Sequence, residues 1–153
     1  MINYLFPDPP AVPKVGFEEI KLAIQTPTQF VVINTLPVHE QGVLIPTTLA
    51  LDKEEATMNA FISNYDTASR HIIVYGKHAA DDSAEKKYRQ LKRLGFVNVF
   101  VYGGGLFEWI LLQDIYGEAH FPTTAPPPKD LLYYAPKRSS EWFSRNELAL
   151  LRS

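Results

Sequence analysis

The chain has 153 residues, 46% of them hydrophobic, with a net charge of −2 and no cysteine. That length fits one domain with a full core; the near-neutral charge gives no field to draw the chain onto nucleic acid or an acidic membrane; and the lack of cysteine excludes disulfides, thiolate metal sites and thiol redox chemistry. No apolar run approaches the roughly 20 residues that cross a bilayer, and a proline-broken N-terminus without a basic region argues against a secretory signal, so a soluble cytoplasmic protein is expected.

Residues 1–15 are rich in proline and apolar side chains and read as an extended arm on the domain surface. From Gly16, the residues Phe17, Ile20, Leu22, Ala23 and Ile24 recur near the helical period, and Thr26-Pro27-Thr28 ends the helix. Phe30–Asn34 is a short apolar run, as a strand buried on both faces of a parallel sheet requires. An irregular stretch follows over 35–50. Asp52 is placed to cap a helix over Lys53–Asn64 with Ala56, Met58, Ala60, Phe61 and Ile62 as its apolar positions.

A second buried strand is expected at His71–Tyr75, then a loop over 76–82. The next helix would turn Ala84, Tyr88, Leu91 and Leu94 inward, with Gly95 just past its end. Val97–Tyr102 reads as a third strand, followed by three glycines and a helix over Leu106–Ile115. Strands alternating with helices of this length indicate βαβ units and an α/β fold, with helices on both faces of a central parallel sheet. Five prolines within 122–136 read as a stiff linker. A last helix from Ser140 carries Trp142, Phe143, Leu148, Leu150 and Leu151, too many apolar residues for a free tail. The domain proper is thus expected over 16–123, with linker and tail over 124–153.

Three stretches together resemble the rhodanese-like, or sulfurtransferase-fold, family. Ile72-Ile73-Val74-Tyr75 resembles its strand entering the active-site loop, Leu94-Gly95-Phe96-Val97-Asn98-Val99 its helix-to-strand step, and Tyr102-Gly103-Gly104-Gly105 with Trp109 its glycine turn and helix. The run from Leu111 through Thr124 is similar to a divergent, cysteine-free branch. The resemblance implies a three-layer rhodanese-like domain over about Phe17 to Trp109. In the family, a thiolate at the first position of the loop takes up sulfur as a persulfide. Converging backbone N–H groups and the next helix N-terminus lower its pKa.

The position that matches this nucleophile is Gly76, which has no side chain. The loop is Lys77, His78, Ala79, Ala80, Asp81, Asp82 and Ser83, without the arginine that often helps to hold an anion. The "D-x-R" that in the family follows its second strand has become Asn34-Thr35-Leu36, at the end of the Phe30–Asn34 run, and "GHIPGA" has become Leu44-Ile45-Pro46-Thr47-Thr48. A carboxylate near the cradle disfavours a bound anion by about 1–4 kcal/mol, depending on exposure, although Asp81 or Asp82 serves equally as a helix cap.

His39, His71, His78 and His120 form no local metal-binding spacing, and no metal or cofactor is expected. Ser83 lacks the G-x-S-x-G setting of a serine nucleophile. The glycine run is neither a dinucleotide fingerprint nor a P-loop and reads as a tight turn. Lys86, Lys87, Arg89, Lys92 and Arg93 form a basic helix face without interleaved aromatics, the ordinary solvated kind, so no nucleic acid is expected.

The expected function is therefore a catalytically inactive rhodanese-like domain that binds a protein partner or itself. Its surfaces would be the loop mouth, the polar turn 34–40 with Asn34 and Leu36, Trp109, and the terminal Trp142-Phe143 pair. The alternative is an enzyme with a rebuilt loop, in which His78, Asp81, Asp82 and Ser83 act on a phosphate ester or thioester, or a protein that binds a small anion without sulfur transfer.

Overall fold

The computed structural model describes residues 11–137. Four parallel strands form the sheet: β1 (Lys14–Val15), β2 (Phe30–Asn34), β3 (His71–Tyr75) and β4 (Val99–Tyr102), in the order β1-β4-β3-β2. Four helices connect and cover them: α1 (Phe17–Gln25), α2 (Leu51–Ser63), α3 (Ser83–Arg93) and α4 (Gly105–Tyr116). The pleat sends successive strand residues to opposite faces. Val32, Ile73, Tyr75 and Tyr102 pack with Ile20 and Ala23 of α1 and Leu106, Trp109 and Ile110 of α4. Ile33, Ile72, Val74, Val99 and Val101 pack with Met58 of α2 and Ala84 and Leu91 of α3. This two-sided burial explains why the strands read as unbroken apolar runs, and it gives the expected three-layer α/β architecture.

Several element ends differ from the sequence reading. Ala50, not Asp52, holds the N-cap of α2, which starts two residues earlier than expected, at Leu51. Asp52 then lies in the first turn, where its charge still suits the helix dipole. Strand β4 starts at Val99 because the two residues before it are held elsewhere: the Val97 N–H bonds Thr67 O at 3.1 Å, and Asn98 Nδ2 donates to Ala68 O at 2.9 Å. Ala84 and Leu91 are buried as expected, but Leu94 is the C-cap of α3 and is 47% exposed, outside the core stripe. Gly95 follows it at φ 102°, the conformation that favours glycine at this position.

The ends of the described chain are packed. Lys14 and Val15, within the expected arm, pair with Val101 and Tyr102. Residues 122–134, read as a stiff linker, lie against the domain as a strap. Trp109 Nε1 donates to Pro122 O at 2.8 Å, and Gln113 Nε2 donates to Phe121 O at 2.7 Å. Thr124 exchanges two bonds with the Leu44 backbone, at 2.9 and 3.0 Å, and Tyr134 is buried. Proline stiffens such a segment without stopping its free backbone groups from pairing with the domain.

Candidate functional site

Strand β3 delivers Gly76 to the C-terminal edge of the sheet, where open α/β sheets place their ligands. The loop then turns over the start of α4. Leu106 N–H donates to Gly76 O at 3.0 Å and Phe107 N–H to Lys77 O at 2.9 Å, so the first donors of α4 are engaged by the loop itself. This approach is possible because residue 105 is glycine. A Cβ there would lie 2.8 Å from Gly76 O and 3.0 Å from His78 N, and its φ is 69°. The glycine run is thus a strand-to-helix turn beneath the loop.

Inside the loop the occupant is Asp81. Its Oδ2 accepts the Lys77 N–H at 3.2 Å and its Oδ1 accepts the Ser83 N–H at 3.0 Å. A Cβ built on Gly76 would meet Asp81 Oδ2 at 3.0 Å and Thr35 Oγ1 at 3.3 Å. The carboxylate therefore caps the start of α3 with one oxygen and faces the head of the loop with the other. Burial alone would raise the Asp81 pKa, but the N–H donors of Ser83 and Lys77, with the Ser83 hydroxyl and His78, outweigh it and hold the carboxyl below the usual carboxylate range.

The remaining loop residues turn inward or outward in turn. Ala80 N–H donates to His78 Nδ1 at 3.2 Å, and Asp81 N–H to His78 O at 3.1 Å. Ala79 and Ala80 are exposed. Asp82 is exposed at the N-cap of α3 without a side-chain cap bond and pairs with Lys86 at 3.3 Å. The Ser83 and Thr35 hydroxyls lie 2.7 Å apart. Asn34 is buried, and its Oδ1 accepts the Leu36 N–H at 3.1 Å, which turns the chain as β2 ends. Trp109 is fully buried in the α1/α4 core. Trp142 and Phe143 lie outside the described residues.

At the loop mouth, Lys77 Nζ bonds Glu40 Oε1 at 2.9 Å, with the two side chains only 15% and 11% exposed. Tyr133 of the strap donates its hydroxyl to the same oxygen at 3.3 Å, and its ring centroid lies 4.8 Å from Lys77 Nζ. The Lys77 hydrogen bond, reinforced by its charge and by Tyr133, holds the Glu40 carboxyl below its usual range against the opposing effect of burial. Loop, polar turn and strap thus close on one ion pair. The sequence reading named Lys77 and the turn but missed Tyr133. The only signal was the apolar Leu131-Leu132-Tyr133-Tyr134 run within the proline-rich stretch. Among the described residues, no three His, Cys, Asp or Glu side chains gather as a metal site, and no helix is long and apolar enough to cross a membrane.

A family model for the rhodanese-like domain matches residues 34–112, over half of the chain. Among solved structures, the chain is similar to a protein of Bacillus halodurans at 18% identity and a TM-score of 0.53, over 69% of this chain and 74% of that one. A protein of Anabaena sp. matches at 20% identity and 0.53, over 78% and 99%. A single-domain sulfurtransferase of Saccharomyces cerevisiae matches at 14% identity and 0.50, over 71% and 97%. At such identities these likenesses speak to the fold alone. No curated protein sequence matches the chain.

Proposed function

From the premise that this chain belongs to the rhodanese-like family, we propose that it is a binding module that holds a protein partner and transfers no sulfur. The observation that carries this reading is the Asp81 carboxylate inside the loop, bonded to the Lys77 and Ser83 N–H groups and facing Gly76. Persulfide chemistry needs a thiolate at the head of the loop. Here that position has no side chain, and no cysteine exists elsewhere in the chain to serve it. An anionic substrate brought within about 4 Å of Asp81 would meet a repulsion of ~1–4 kcal/mol, depending on exposure. A site already filled by its own charge is suited to fixing the loop's shape.

The rebuilt-enzyme reading gains no support from the geometry. Ser83 Oγ is paired with Thr35 Oγ1 and His78 Nδ1 with the Ala80 N–H. Nucleophilic catalysis by Ser83 would need a base free to take its proton, and the Asp81 carboxylate beside it is already bonded to the Lys77 and Ser83 N–H groups. The test is a thiosulfate-to-cyanide transfer assay on the purified full chain, beside calorimetric titration with thiosulfate. Neither thiocyanate nor binding heat is expected. Thiocyanate formed in proportion to protein concentration would overturn the proposal.

A further inference from the structure

We infer that the groove between α2 and α3 is a docking site for a partner-protein segment that carries acidic side chains beside apolar ones. This rests on the binding-module reading and supplies its surface. Helix α2 presents Leu51, Glu54 and Met58 at i, i+3 and i+7, and α3 presents Lys87, Leu91 and Leu94 across from them. Between them lies a concavity of about 470 Å³. A second concavity, of about 520 Å³, shares Leu51, Glu54, Lys87 and Gln90 with it and runs to the end of β2 at Asn34 and Leu36. The two form one groove along the helix pair, crossed by the Glu54–Lys87 ion pair.

Its two halves differ in character. The first offers apolar surface: Leu51 is 45% exposed and Leu94 47%. The second has three cations, Lys86, Lys87 and Arg93, against the single carboxylate of Glu54. Lys87 is engaged by Glu54, Lys86 meets only the exposed Asp82, and Arg93 has no ion pair among the described residues. On a chain of net charge −2 this is a local excess of positive charge.

The occupant with the complementary pattern places leucine-like side chains against the exposed Leu51 and Leu94, and a carboxylate against Arg93 and Lys86. A nucleic acid fits less well. No aromatic ring lines either half for base stacking.

The test is to pan random peptides displayed on phage over the full chain. Synthetic copies of the recovered sequences are then measured by fluorescence anisotropy against the parent chain and the exposed-site variants Leu51→Asp and Arg93→Glu. Recovered peptides should carry Asp or Glu next to Leu, Ile or Phe, and each variant should weaken them roughly tenfold. A lysine-for-glutamate peptide should regain affinity for Arg93→Glu. Peptides insensitive to both variants but weakened by Lys77→Ala would overturn the groove and leave the binding-module reading standing. Displacement by a synthetic 138–153 peptide would make the chain's own end the occupant and overturn the partner assignment. Tighter binding of single-stranded RNA than of any peptide at the same groove would overturn it as well.

Discussion

The side chain at 81 does for this loop what a bound anion would otherwise do: it gathers the backbone donors of Lys77 and Ser83 around a negative charge. Replacing it by alanine should cost about 1–3 kcal/mol, because those part-buried donors lose their partner, as read from urea denaturation. The same Asp81→Ala change should let the loop take up sulfate or thiosulfate, seen as calorimetric binding heat that the parent chain does not give. Gly76→Cys alone should carry a thiol with a raised pKa, since its Cβ would lie 3.0 Å from Asp81 Oδ2. The pH dependence of its alkylation by iodoacetamide checks this, with the Gly76→Cys/Asp81→Ala pair expected to react at lower pH. Gly105→Ala should destabilise the chain by about 1–3 kcal/mol, from its left-handed backbone. Its 2.8 Å approach to Gly76 O adds to the strain. Gly76 and the two aspartates could be picked out in the sequence because each is a departure in chemical type. That Asp81 points inward depends on how the backbone turns between Lys77 and Ser83, and residue type alone does not encode that turn.

At the scale of elements, the strands and helices were legible wherever burial is two-sided or strongly periodic, as in His71–Tyr75 and the Ala84/Leu91 face of α3. The strap was not legible in that way. Its prolines announce stiffness, while its docking depends on pairings far apart in sequence, such as Thr124 with Leu44 and Tyr133 with Glu40. Glu40→Gln should loosen this closure. The shielded Lys77 would lose its charged partner, a change of about 1.5–3 kcal/mol for a hydrogen bond to a charged group. Hydrogen exchange over 130–135 should quicken more than exchange in β3, and equal change in both segments would argue against a local latch.

For the whole molecule, the two carboxylates tie stability to pH. Asp81 and Glu40 both have pKa values lowered by folding. Their contribution is therefore complete above the unfolded carboxylate range of about pH 4 and is lost as pH falls through the lower folded values. The urea midpoint should drop between about pH 5 and pH 2. An Asp81→Asn/Glu40→Gln chain should start lower and show a flatter decline. A parent chain with a flat profile there would mean that neither carboxylate is held as described.

The crowding between residue 76 and Asp81 makes two changes interdependent. A cysteine placed at the loop head finds a negative neighbour already seated, and a loop relieved of that neighbour has nothing to load. Installing sulfur chemistry in this loop therefore takes both substitutions together.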